Sequence, residues 1–232
     1  MEYLPNGIQL EIPAGCFPLS TDSIALAHFA RGIGSKQVLD LGAGCGTLGL
    51  MLCAGNDRCR VTGIELNEEA HLGALDNISR NTLEQRMESI CADLRRVPAL
   101  FAPGSFPCCI SNPPYFSDGP LSAAGIARRE DACTLQELFR SAAWALKYGG
   151  DFYLVHRPER LGEIIAVGAQ HKLEAKRLAL LRHREGGPVA LVLVQLRKGA
   201  KPGLAWEDWV LHDAAGSPTG LYREIYHIRE ES

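Results

Sequence analysis

Residues 37–50, QVLDLGAGCGTLGL, put a short apolar run, a cluster of glycines and a second apolar segment end to end. The run Gln37 to Leu41 has the length of a buried strand. Gly42, Gly44 and Gly46 interrupt it, and GTLGLMLCAG then reads as a helix stopped at Gly55. Glycines at a strand-to-helix junction let the backbone approach a ligand closely and leave the first helical amides unobstructed. Dinucleotide sites favour GxGxxG, whereas GxGxG behind an acid suits a cofactor whose polar end is an amino acid. Asp40 can either order the loop or meet an ammonium group, and the amides of Gly42, Ala43, Gly44 and Gly46 can face a carboxylate and a ribose.

The same rhythm continues downstream. RVTGIEL reads as a second strand and NEEAHLGALDNISRN as a polar-faced helix capped by Asn67. MESICADL and FPCCISN are two further buried strands. TLQELFRSAAWALKYGG is an amphipathic helix capped by Thr134 and stopped at Gly149-Gly150, and DFYLVH is a fifth strand. Such alternation specifies a parallel sheet with helices on both faces. The segments LEAKRLALLRHR and PVALVLVQLRK are separated by EGG, too short for a crossover helix, so they form an antiparallel hairpin. No linker divides the chain. The expectation is one domain over 1–232, with a covering segment at 1–36, a core at 37–156, and a hairpin and tail at 157–232.

Polar residues gather at the predicted strand ends. Glu65 ends the second strand, where a carboxylate can accept both hydroxyls of a ribose, and Asp93 ends the third, where it can accept the exocyclic amino group of an adenine. Either acid alone would read as a solvated strand end; at successive strand ends they read as one cofactor site. The fourth strand runs into Asn112, Pro113, Pro114 and Tyr115. Two adjacent prolines continue neither a helix nor a central strand, so this is a stiff loop. One amide and one ring held stiffly can satisfy both the edge and the face of a planar ligand.

Composition narrows the partners. The 232 residues are 46% hydrophobic and 22% charged, ordinary globular usage, and the net charge of -3 excludes a generally basic coat. A polyanion would have to meet a local basic patch. From residue 157 to 201, Arg157, Arg160, Lys172, Lys176, Arg177, Arg182, Arg184, Arg197, Lys198 and Lys201 outnumber Glu159, Glu163, Glu174 and Glu185. The eight cysteines show no CxxC pair and include the vicinal Cys108-Cys109, which suits reduced thiols better than a disulfide framework or a metal site. MEYLPNGIQLEIP lacks the basic start and apolar run of a signal peptide, and no apolar stretch approaches the roughly 20 residues of a membrane span. A cytoplasmic monomer is expected.

Glycines after strand one, acids after strands two and three, and NPPY after strand four together resemble the class I methyltransferases that use S-adenosylmethionine, with the (D/N/S)PP(Y/F) motif in its place. The resemblance implies a Rossmann-like fold with a mostly parallel seven-stranded sheet and the antiparallel hairpin at its C-terminal end. FPLSTDSIALAHFA, LVHRPERLGEII, LVLVQLRKGAKPGL and the closing tail resemble the transfer-RNA adenine N6-methyltransferases acting at position 37 of valine tRNA, over nearly the whole chain. Cofactor positions then fall on Asp40, Gly42, Gly44, Glu65 and Asp93, with Ala43, Gly46, Leu66 and Asn112 beside them. Thr21 and Asp22 match a TD pair that closes over the cofactor. The catalytic motif falls on Asn112, Pro113, Pro114 and Tyr115.

The motif has a chemical rationale. An exocyclic amine on a base is a poor nucleophile because its lone pair is delocalised. Acceptance of its two N–H bonds by the Asn112 side-chain oxygen and the Pro113 carbonyl draws the nitrogen towards a pyramidal geometry, and Tyr115 stacks on the flipped base. The same acceptors serve the glutamine-amide methyltransferases of release factors, which usually carry a helical N-terminal domain, and ribosomal RNA guanine methyltransferases, which favour Phe at the Tyr115 position. The RNA contact is expected from Arg128 and Arg129 together with Lys172, Lys176, Arg182, Arg184, Lys198 and Lys201. Residues 125–138 and the tail from 205 depart from the family pattern, where substrate would bind.

Overall fold

The computed structural model describes residues 2–3, 7–14, 16–33, 36–113 and 133–227. In chain order the elements are β1 (Glu2–Tyr3), β2 (Gln9–Leu10), α1 (Thr21–Phe29), β3 (Gln37–Leu41), α2 (Thr47–Gly55), β4 (Arg60–Glu65), α3 (Glu68–Arg80), β5 (Met87–Cys91), α4 (Val97–Leu100), β6 (Phe106–Ser111) and α5 (Leu135–Ala145). They continue with β7 (Leu146–His156), α6 (Leu161–Gln170), β8 (Leu173–Arg184), β9 (Leu191–Lys198), β10 (Ala205–His212) and α7 (Gly220–Ile225). Strands β3 to β10 form one sheet in the order β10-β8-β9-β7-β6-β3-β4-β5. Every neighbouring pair is parallel except the two that β9 makes with β7 and β8. One reversed strand in a parallel sheet is what the expected hairpin produces.

Burial alternates along the strands as a two-faced sheet requires. Val38, Cys108, Ile110, Val155 and Leu193 belong to a core beneath α1 and α2, while Leu39, Leu41, Cys109, Leu154 and Val194 belong to the core on the opposite face. Asp40 follows Leu39 and precedes Leu41, so it points into the first of these cores. The helix caps match the sequence: Asn67 Oδ1 accepts from the Ala70 amide at 2.9 Å, and Thr134 and Glu137 form a reciprocal capping box.

Two features differ from expectation. The sheet has an eighth strand: β10 joins the edge parallel to β8, pairing Ala205 with Arg177 through His212 with Arg184. Its pattern is masked because Glu207 sits on the inward side with Trp209 and Leu211, where it accepts from Arg177 and from Trp209 Nε1. The helix expected to run to Gly149 ends at Ala145 instead, and β7 starts at Leu146. Leu146 pairs with Phe106 and the next register pair is Asp151 with Cys108, so residues 147–150 loop out of the ladder, with Gly149 at φ +76.

The N-terminal segment is pinned to α3 by two asparagines one helical turn apart. Asn81 exchanges hydrogen bonds with the backbone N–H and C=O of Gln9, and Asn77 does the same with Glu11. Side-chain amides here take the place of a neighbouring strand. Pro13 lies against Gly73, where an added Cβ would come within 2.6 Å of the proline ring. The pinned segment delivers residues 16–20 across the C-terminal ends of the parallel strands and into α1. Among the described residues no helix is long and apolar enough to cross a membrane.

Candidate active site

The parallel strands end around a cavity of about 340 Å³, within the range of small-molecule sites. Its walls come from the Gly42–Cys45 turn, the end of β4, the turn after β5, the end of β6 and the segment Cys16–Pro18. The expected residues Gly42, Ala43, Gly44, Glu65, Leu66, Asp93, Asn112 and Pro113 all line it.

The glycine turn is built by position-specific needs. Gly42 and Gly44 have φ of +78 and +56, and a Cβ on either would meet no protein atom within 4 Å, so the space beside them is open. Gly46, at φ +86, caps α2 and sits against Met87, whose methyl would be 2.8 Å from an added Cβ; its role is packing as well as turning. The Gly42 and Ala43 amides both donate to the Ile64 carbonyl at 3.0 Å. The Gly44 amide donates to Glu65 Oε2 and the Asn67 amide to Glu65 Oε1, each at 2.8 Å. Glu65 therefore holds the turn while its remaining lone pairs face the cavity.

Asp40 lies beneath this turn. It is fully buried and does not line the cavity, and among the described residues neither carboxylate oxygen has a hydrogen-bond partner. Burial, with the nearby negative charge of Glu65 adding to it, pushes its carboxyl up to about 8. A buried acceptor that lacks a donor among the described residues, below a turn with open space above its glycines, fits a ligand that carries a cationic group.

Asp93 is more committed than the sequence implied. Its Oδ1 accepts from the Arg95 amide at 2.8 Å and its Oδ2 from Arg95 Nε at 2.7 Å, so it caps a short turn and pairs with a guanidinium. The Arg95 hydrogen bonds hold its carboxyl below the usual range. Leu66 is 52% exposed at the rim, an apolar side chain open to a planar ligand.

At the fourth strand end, Ser111 Oγ donates to the Leu41 carbonyl at 2.7 Å and fixes β6 against β3. Asn112 follows, and its Nδ2 donates to Ser23 Oγ at 2.9 Å. Pro113 is buried; Pro114, Tyr115, Arg128 and Arg129 lie outside the described residues. Thr21 and Asp22 do not line the cavity. Thr21 Oγ1 instead shares a 3.0 Å hydrogen bond with the Tyr226 hydroxyl, which ties α1 to the C-terminal tail. Ser23, the next residue, is the one that lines the cavity, together with Phe17, which is 63% exposed. Both stand inside FPLSTDS; the register of α1, which a nine-residue helix of mostly apolar residues does not reveal, decides which of them faces in.

The expected basic face divides in two. β8 runs parallel to the strands that end at the cavity, so Arg182 and Arg184 lie towards that end, whereas Lys172 lies at the other and Lys176 a third of the way along, roughly 20 to 40 Å away at about 3.3 Å per residue. Lys198, at the far end, donates to the Ala143 and Leu146 carbonyls and so finishes α5. Lys176 donates to the Lys201 carbonyl at 3.0 Å.

A glycine turn, an acid at the second strand end, an amide at the fourth and a single reversed strand in a parallel sheet define the class I methyltransferase architecture. The chain belongs to the methyltransferase small domain family, whose model matches residues 21–166. A relative from Shewanella halifaxensis (strain HAW-EB4), the tRNA1(Val) (adenine(37)-N6)-methyltransferase, is 30% identical over 172 residues, covering 73% of this chain and 70% of its own. Among solved structures, a predicted O-methyltransferase from Agrobacterium tumefaciens superposes with a TM-score of 0.75 at 23% identity, over 89% of this chain and 96% of that one. The T. thermophilus 16S rRNA N2 G1207 methyltransferase (RsmC), in complex with AdoMet and guanosine, superposes with a TM-score of 0.58 at 21% identity, over 79% of this chain and 45% of that one. The family resemblance read from the sequence is borne out, and the chain is a methyltransferase.

Proposed function

We propose that the chain is an S-adenosylmethionine-dependent N6-adenine methyltransferase of RNA, acting on adenine 37 of a tRNA anticodon loop as a cytoplasmic monomer. The observation that carries this reading is the placement of Asn112: its amide nitrogen is tied to Ser23, and the residue lines the same cavity as the glycine turn. The name of the Shewanella relative supports the choice of base and of RNA.

S-adenosylmethionine, when bound, supplies an electrophilic methyl group. The turn of Gly42, Ala43, Gly44 and Gly46, with its open space beside Gly42 and Gly44, and the buried carboxyl of Asp40 would hold the amino-acid end, Glu65 would accept from the ribose, Leu66 would cover an adenine face, and Asp93 would accept from its amino group with the lone pairs Arg95 leaves. Residues 1–36 cover the site, 37–156 form the cofactor core, and the hairpin and tail complete one domain. Asn112 Oδ1 and the Pro113 carbonyl accept the N–H bonds of the target amine. No strong base is required, because ordering and polarising the amine is the catalytic contribution. Pro114 is assigned to stiffening the loop and Tyr115 to stacking on the flipped base, where such stacking is worth roughly 1 to 3 kcal/mol.

Labelled cofactor incubated with total RNA, DNA and release factors in parallel, followed by digestion to nucleosides and amino acids, tests the assignment. Label is expected in N6-methyladenosine from the tRNA fraction. Label confined to a glutamine of a release factor, or to guanosine, would replace the substrate class.

A further inference from the structure

We propose that Ser23 is the positioning residue for Asn112, holding its side-chain amide at the cavity wall where the target amine is received. The inference rests on the reading of Asn112 as the amine acceptor. The two ends of an asparagine amide have nearly the same shape and opposite chemistry: the carbonyl oxygen accepts hydrogen bonds and the NH2 donates them. The target amine needs the accepting end, so the reaction depends on how firmly the last side-chain torsion is held. The neighbours of Asn112 in the chain fix its backbone, through Ser111 on Leu41 and the locked ring of Pro113, but not that torsion.

Ser23 supplies what the loop lacks. Its Oγ stands 2.9 Å from Asn112 Nδ2 across 89 residues of sequence and accepts there, a contact from outside the loop that holds the amide in place. Ser23 is 9% exposed and sits in the first turn of α1, a helix held on one side by α2 and β7 and on the other by the hydrogen bond of Thr21 to Tyr226. The acceptor is thus carried on a packed element rather than on a loop, the arrangement that keeps a reactive group within a fraction of an ångström of its working position. The role also gives a reason for the serine in TDSIALAHF at a helix position where Ser has no propensity advantage.

The test compares the full chain with Ser23→Ala, Ser23→Thr and Asn112→Ala, measuring turnover on the acceptor the wild type methylates and cofactor affinity by calorimetry. Ser23→Ala is expected to lower kcat about 10-fold, the rate equivalent of one hydrogen bond, with acceptor KM and cofactor Kd within about twofold of wild type. Ser23→Thr, which keeps the hydroxyl, is expected to recover most of the lost rate. Wild-type kcat in Ser23→Ala, a matching loss of cofactor affinity, or a threonine variant as slow as the alanine one would each overturn the proposal. Thermal unfolding of each variant separates misfolding from slow turnover. If the wild type methylates a protein glutamine, the RNA reading falls while the Ser23 comparison is read on that acceptor. If Asn112→Ala turns over at the wild-type rate, the reading of Asn112 falls and the role of Ser23 with it.

Discussion

The Gly44 amide donates to Glu65 Oε2 at 2.8 Å, so the carboxylate that ends the second parallel strand also braces the glycine turn that leaves the first. The other oxygen accepts from Asn67 at the head of α3, and one side chain thereby fixes three walls of the cavity relative to one another. Glu65→Ala is expected to weaken cofactor binding by about 10- to 100-fold, because hydrogen bonds to a charged group contribute roughly 1.5 to 3 kcal/mol. Glu65→Gln keeps one acceptor oxygen and should fall between. Calorimetric affinities equal to wild type in the alanine variant would remove Glu65 from the site.

Replacing Asn112 by Ala removes an acceptor used more in the transition state than in the ground state. Turnover should fall about 100-fold or more while cofactor affinity stays nearly intact. Single-turnover rates alongside calorimetry separate the two quantities, and wild-type turnover would dismiss the catalytic assignment.

Asp40 makes stability depend on pH in a predictable direction. Its carboxyl ordinarily titrates near 3.8 and is raised to about 8 by burial, with Glu65 adding to the shift. The folded state therefore holds a proton that the unfolded chain releases, so this contribution is complete below about pH 4 and is lost progressively as pH rises towards 8. His28 and His156 act in the opposite sense: burial lowers both from 6.5 to about 4, so their contribution is present above 6.5 and lost as pH falls. Between about 6.5 and 8 these two histidines no longer contribute to the pH dependence and Asp40 does. Urea unfolding in that window should show wild type losing stability with pH relative to Asp40→Asn, which cannot ionise; parallel curves would mean Asp40 is already charged at neutral pH.

Asn77 links two segments that the site needs. Fully buried, it exchanges hydrogen bonds with Glu11 and donates to the Cys45 carbonyl at 3.0 Å, joining the N-terminal segment to the glycine turn. Asn77→Ala removes the side-chain partner of the Glu11 N–H and C=O and a buried donor to the Cys45 carbonyl, and is expected to cost about 1 to 3 kcal/mol. Hydrogen exchange should show Gln9 and Glu11 losing protection first. Unchanged protection there would mean the segment is held by Asn81 and by the packing of Pro13 on Gly73.

The sequence disclosed what depends on local spacing. Gly42, Gly44, Glu65 and Asn112 each follow an apolar run, so their convergence follows from a parallel sheet whose strands all end on one side. What it hid depends on register or on partners distant in the chain. Ser23 rather than Thr21 reaches the cavity because of the rotation of one short helix, and its partner lies 89 residues away. The strand β10 was obscured because Glu207, on its buried side, is neutralised by Arg177 from β8, a pairing that no local pattern announces. The commitment of Asp93 to Arg95 was two residues away and could have been anticipated from the cap preference of Asp alone.

The direction of β8 sorts the basic residues into two groups that charge counting could not separate. Arg182 and Arg184 lie towards the cavity end of the strand, while Lys172 and Lys201 lie near its start, on the far side of the sheet. Phosphates that are neutralised while a base occupies the cavity must be met by the near group, and each phosphate left without its cation should reduce the salt slope by about 0.7 for single-stranded RNA. Arg182→Glu with Arg184→Glu is therefore expected to raise the KM for RNA and flatten its dependence on salt, with cofactor affinity unchanged. Arg182 also donates to the Gly187 carbonyl at 2.6 Å and so helps hold the turn of the hairpin, which makes Arg184→Glu alone the cleaner variant; it should give about half the change in slope. Lys172→Glu with Lys201→Glu should leave both quantities close to wild type. The reverse result, with the far lysines controlling the salt slope, would require the RNA to wrap the edge of the sheet along β10, and Trp206, 71% exposed on that edge, would then be the next residue to replace.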